Sequence, residues 1–150
     1  MSEVSKTFDE LTGVATYITP PRPLFEQKSG LFTSKPGASI SINLVTLTGT
    51  NGTQIYLQFR EIQTRIDLPA TETLFFLIGD ERFQFDCTFS RMAGSDSVVL
   101  DIETAEVTLN FLEKLAECAG AKSRIRSIDV EIGFPFLADV EDMLAALQSP

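Results

Sequence analysis

Residues 83–90 alternate without interruption: Phe83, Phe85, Cys87 and Phe89 are apolar, and Gln84, Asp86, Thr88 and Ser90 between them are polar. Successive side chains of a β-strand point to opposite faces, so this period of two marks a strand with one buried face and one wet face. A helix would scatter the same four apolar residues around its axis. Three other segments repeat the pattern, with Ile40, Ile42 and Leu44, with Ile55, Leu57 and Phe59, and with Val98, Leu100 and Ile102 as their apolar members. Asn51-Gly52 between the first two is a hairpin signal, because both residues tolerate the positive φ of a tight turn. Leu74 to Ile78 is apolar throughout, the pattern of a central strand covered on both faces. The phase slips once, at Val45 and Leu47, where a bulge near Leu44 or coverage on both faces would account for it.

Beyond residue 103 the period becomes helical. Val107, Phe111, Leu112 and Leu115 share a stripe, Thr104 can cap it, and Gly120 can end it. A strand at about 124–132 follows, with Ile125 out of step with Ile128, Val130 and Ile132. A last helix from about Phe136 buries Leu137, Val140, Met143, Leu144 and Leu147. The sequence thus predicts an α+β fold. A mostly antiparallel β meander of at least five strands leads into helix–strand–helix, with helices near 105–119 and 136–148 on one face of the sheet. Residues 40–150 are expected to form one domain. Residues 1–39, which hold Pro20, Pro21, Pro23 and Pro36, are expected to form a largely irregular arm. Within that arm 13–18 fits an edge strand, and Phe8 and Leu11 fit a short helical turn.

Composition narrows the chemistry. The chain of 150 residues contains no histidine, which removes Ser-His-Asp and Cys-His nucleophile systems and histidine-bound zinc within one chain. Two cysteines, Cys87 and Cys118, cannot make a four-cysteine zinc site, and both fall on expected core faces as reduced thiols. No phosphate-binding glycine motif is present. Asp101, Glu103 and Glu106 are the nearest approach to a metal cluster. A solvated strand edge and a helix N-terminus account for them, and Asp139, Glu141 and Asp142 are expected on the solvated side of the last helix. No catalytic residue, cofactor or metal is therefore expected, and the protein is read as not an enzyme.

Net charge is −9, which disfavours direct binding to nucleic acid or anionic membranes. No apolar run approaches the ~18 residues of a membrane helix, and a soluble protein of the cytoplasm is expected. Arg60, Arg65, Arg124 and Arg126 are the candidate anion or partner contacts: if their two segments pair, they form a basic island. Otherwise Glu61, Asp67, Asp129 or Glu131 neutralises them across strands. Every strong signal here is a folding signal. The expected function is a non-catalytic binding or regulatory module acting through a protein–protein surface, with self-association open. The alternatives are a small apolar ligand held in a cavity among the twelve Phe residues, and an acidic inhibitor that mimics nucleic acid.

Overall fold

Wherever the sequence alternates, the apolar residues face inward and the polar ones outward. The computed structural model describes residues 3–26, 39–50, 52–63, 72–94, 98–125 and 128–148. In chain order the elements are β1 (Ser5–Asp9), β2 (Val14–Ile18), β3 (Arg22–Pro23), β4 (Phe25–Glu26), β5 (Ser39–Gly49), β6 (Gly52–Gln63), β7 (Glu72–Ile78), β8 (Glu81–Ala93), β9 (Val98–Thr104), α1 (Leu109–Glu117), β10 (Ala121–Ile125), β11 (Ile128–Ile132) and α2 (Phe136–Gln148). The fold is sheet-dominated α+β with a C-terminal helix pair. None of its described helices is long and apolar enough to cross a membrane.

All described strand pairings are antiparallel, in the order β1-β2-β5-β6-β9-β8-β7-β10-β11-β4, with β3 beside β5. This is not the simple meander expected. β6 and β7 are consecutive, yet β9 and β8 lie between them, which makes a Greek key. Alternation reveals which face of a strand is buried and is silent about its neighbour, so the crossover left no mark in the sequence.

The N-terminal segment departs further from expectation. Over its described residues it supplies four strands, and β2 is the edge strand anticipated at 13–18. Phe8 belongs to β1 rather than to a helical turn, and it is 62% exposed. Arg22 and Pro23 pair with Ile42 and Ser41 of β5. Two residues later Phe25 and Glu26 pair with Glu131 and Val130 of β11. The run 22–26 therefore closes the sheet between β5 and β11, with β2 and β1 lying beyond β5.

Register explains both phase slips. β5 pairs with β6 without a bulge, from Ser39 opposite Ile62 to Gly49 opposite Gly52. The slip arises because Thr46 takes an inward position; it is fully buried, and its hydroxyl has no hydrogen-bond partner among the described residues. Near Ile125 the cause is a hairpin. Two strands occupy the span of the single one expected, and Ile125 faces Ile128 across them.

The inner face is built around aromatic rings. Phe111 of α1 is fully buried and meets Phe76, Phe83 and Phe85 edge-on at centroid distances of 5.2, 4.9 and 4.8 Å, a favoured aromatic geometry. α1 starts later than expected. Thr104 ends β9, where its Oγ1 accepts a hydrogen bond from the Leu57 amide at 3.1 Å. Thr108 is the N-cap and accepts from the Phe111 amide at 3.1 Å.

Asp139 corrects another expectation. It lies between Phe136 and Met143 on the buried stripe of α2, and its side chain is 4% exposed. Arg22 holds it with two bonds, Nε to Oδ2 at 2.7 Å and Nη2 to Oδ1 at 3.0 Å, and also meets Glu3. These partners keep the Arg22 guanidinium more firmly protonated than usual, Asp139 contributing most. A carboxylate that takes a two-pronged arginine can occupy a helix stripe that otherwise admits only apolar groups.

Candidate functional site

The four arginines do not form one island. Arg60 lies on β6 and Arg124 on β10, with β9, β8 and β7 between those strands. Arg65 and Arg126 lie outside the described residues. Arg60 faces Asp101 directly and bonds it twice, at 2.7 and 3.1 Å. Arg124 does the same with Asp129, at 2.6 and 3.0 Å. Cross-strand neutralisation is thus the arrangement observed, although Arg60 uses Asp101 and none of the acids expected. Glu61 is on the opposite face of β6 and fully buried, and Asp67 lies outside the described residues.

Each guanidinium is raised by its carboxylate, first through the hydrogen bond. Asp129 is held below the usual carboxylate range, chiefly by its bond to Arg124. A depressed folded-state pKa stabilises the fold above the unfolded pKa, and that contribution disappears as pH falls through the folded one. Replacing Arg124→Gln is therefore expected to return the Asp129 titration, followed by carboxyl NMR shifts, to the ordinary aspartate range. An unchanged midpoint would show that the pair does not persist in solution.

Asp101 and Glu103 share the outward face of β9, as their spacing predicts. Arg60 engages the first, and the Gln58 amide donates to the second at 2.9 Å. Among the described residues there is no group of three or more side chains suited to a metal ion. Cys87 and Cys118 are not joined in a disulfide and are half-buried rather than fully buried, and burial raises the Cys118 pKa.

The outer face of β7 has a different character. Leu74 and Phe76 point inward and are 2% exposed. Phe75 and Leu77 point outward, and Phe75 is 46% exposed, so the apolar run is covered on one face only. A cleft of about 380 Å³ opens there, with Phe75 and Leu77 as its outward apolar residues and Arg82, Lys122, Arg124, Asp129 and Glu131 as its charged ones. A second depression shares Leu77, Lys122 and Glu131 with it and extends to Gly133. Arg82 lies directly across from Leu77 on β8, and Lys122 directly across on β10. Neither forms a salt bridge among the described residues. Apolar surface with a few convergent polar groups is the usual make-up of a binding site.

Sequence reasoning missed this groove for two reasons. A continuous apolar run does not say whether its second face is covered. Lys122 and Arg124 alternate with the small residues Ala121 and Ser123, a signal of a two-sided strand too weak to register beside the isoleucines that follow. Comparison with protein-family models, with curated proteins and with solved structures gives no match for this chain.

Proposed function

We propose that the protein is a non-catalytic binding or regulatory module, and that the β7–β10 groove is its protein–protein surface. One observation carries this reading: Phe75 is half exposed and Leu77 only half-buried, beside Arg82 and Lys122, which form no salt bridge among the described residues, on a chain whose net charge is −9. Phe8 and Phe134 are more exposed still, but Phe75 is the one flanked by cations in a groove, and aromatic residues next to arginine are what interface centres favour. In this reading both helices occupy the inner face of the sheet, which leaves the outer face free for a partner. Two cysteines outside any disulfide suit a reducing compartment, and we place the protein in the cytoplasm on that ground.

The alternatives have less support. Phe76, Phe85 and Phe111 pack against one another instead of lining a space for an apolar ligand. The outer faces of β6, β9, β10 and β11 interleave arginine with aspartate, which is unlike a phosphate mimic. The test is affinity capture from lysate of the source cell, with the wild-type chain and a Phe75→Ser, Lys122→Glu variant of matched melting temperature. A partner retained by the first and lost by the second is the expected result. Identical capture by both chains would remove the groove from the interface.

A further inference from the structure

We propose that the groove receives an extended segment of a partner protein in which an acidic residue and an aromatic residue stand two positions apart; this rests on the binding reading above. The argument is one of spacing and charge. Arg82, Leu77 and Lys122 sit directly opposite one another on β8, β7 and β10. Neighbouring strands are about 4.8 Å apart, so the two cations emerge about 10 Å apart with an apolar residue between them. Both side chains are long enough to meet one carboxylate placed over Leu77.

The charges around this row restrict where the carboxylate goes. On the far side of Lys122 stands Glu131, which repels an anion from the β11 margin. Arg124, beside Phe75 in the next row, is already bonded twice by Asp129. Lys122 also feels Asp129 and Glu131 without a salt bridge to either, so the positive charge open to a ligand is that of Arg82 with Lys122 in support, both beside Leu77, and the row of Phe75 offers an exposed ring instead.

Phe75 and Leu77 are two residues apart on one strand, a separation of about 6.7 Å. Side chains i and i+2 of an extended peptide have the same separation and the same face. A segment lying along β7 thus sets its carboxylate between Arg82 and Lys122 and its ring on Phe75. Charge-assisted bonds supply one half of the recognition and aromatic stacking the other. A neutral or basic segment leaves both cations unanswered, and an acidic segment without a ring leaves Phe75 in water.

The probe is a five-residue peptide, threonine–glutamate–threonine–phenylalanine–threonine, acetylated and amidated at its ends. It is titrated into the full isotope-labelled chain and followed by amide shifts. Shifts concentrated at Phe75, Leu77, Arg82 and Lys122 are expected. Binding should weaken about tenfold when glutamine replaces the glutamate, the size of one good charged contact. Alanine in place of the phenylalanine should weaken it further. In an Arg82→Gln, Lys122→Gln variant the preference for glutamate over glutamine should vanish while the preference for the ring remains. Equal binding of the glutamate and glutamine peptides overturns the inference, and so do shifts elsewhere or none at millimolar peptide. If a partner is lost with the groove variant yet the peptides leave the groove undisturbed, the ligand class is wrong and the binding reading stands. Specific peptide binding alongside unchanged capture has the opposite meaning: it upholds the ligand class and overturns the groove's use as the interface with that partner.

Discussion

Replacing Phe111→Ala is expected to lower the free energy of unfolding by about 4 kcal/mol, measured by urea denaturation. The side chain is fully buried, and three rings from β7 and β8 close on it from different directions. Truncation removes the transfer energy of the ring and leaves a void. Strands of an antiparallel sheet cannot collapse far without breaking their pairing, so the void remains largely unfilled. The nine residues of α1 are too few to hold a helix without this anchor. Phe111→Leu keeps much of the volume and is expected to cost less than half as much. A loss below about 1 kcal/mol for the alanine variant would mean that the ring cluster is not the centre of the core.

The second large effect is expected at Asp139. Asp139→Ala leaves the Arg22 guanidinium without its main acceptor and should cost about 2 kcal/mol, as for other hydrogen bonds to charged groups. Glu141→Gln and Asp142→Asn, on the same helix, should each stay within about 0.5 kcal/mol. The loss should also appear in one place by hydrogen exchange. The Leu24 amide, which donates to Ile40 O at 2.8 Å, should lose protection when the neighbouring Arg22 is released. Arg22→Lys tests the geometry, since an ammonium cannot make the same two-pronged contact. A neutral Asp139→Ala would show that water compensates fully for the missing carboxylate.

These two residues also show what the sequence reveals and what it hides. Phe111 is legible, because its stripe continues through Leu112 and Leu115 at helical spacing. Asp139 occupies a stripe too, but the partner that permits it lies 117 positions away on β3. The same division runs through the fold. β8 and β9 follow from their alternation alone, since burial of one face is a local property of a strand. The Greek key, the β10–β11 hairpin and the closing of the sheet by residues 22–26 depend on which strand lies next to which. Period two contains no such information. Prolines at 20, 21 and 23 argue against regular structure, yet Pro23 fits a two-residue strand at the margin of a sheet. The candidate groove was hidden in the same way. Phe75 and Leu77 look like any buried pair until the outer face beside them is seen to be uncovered.

The junction at residues 22–26 sets a timetable for the newborn chain. Arg22 and Pro23 can pair as soon as β5 follows them from the ribosome, but Phe25 and Glu26 must wait for Val130 and Glu131. At about 5–20 residues per second, that delay is roughly 5–20 s. Throughout it the growing sheet has a raw margin, and for most of it Phe76 has no Phe111 from α1 to pack against. The last fifth of the chain is therefore what ends the vulnerable period. It brings α2, whose Phe136, Val140 and Met143 join the core, and β11, which pairs with Phe25 and Glu26, so a nascent or shortened chain without it has every reason to be held by a chaperone.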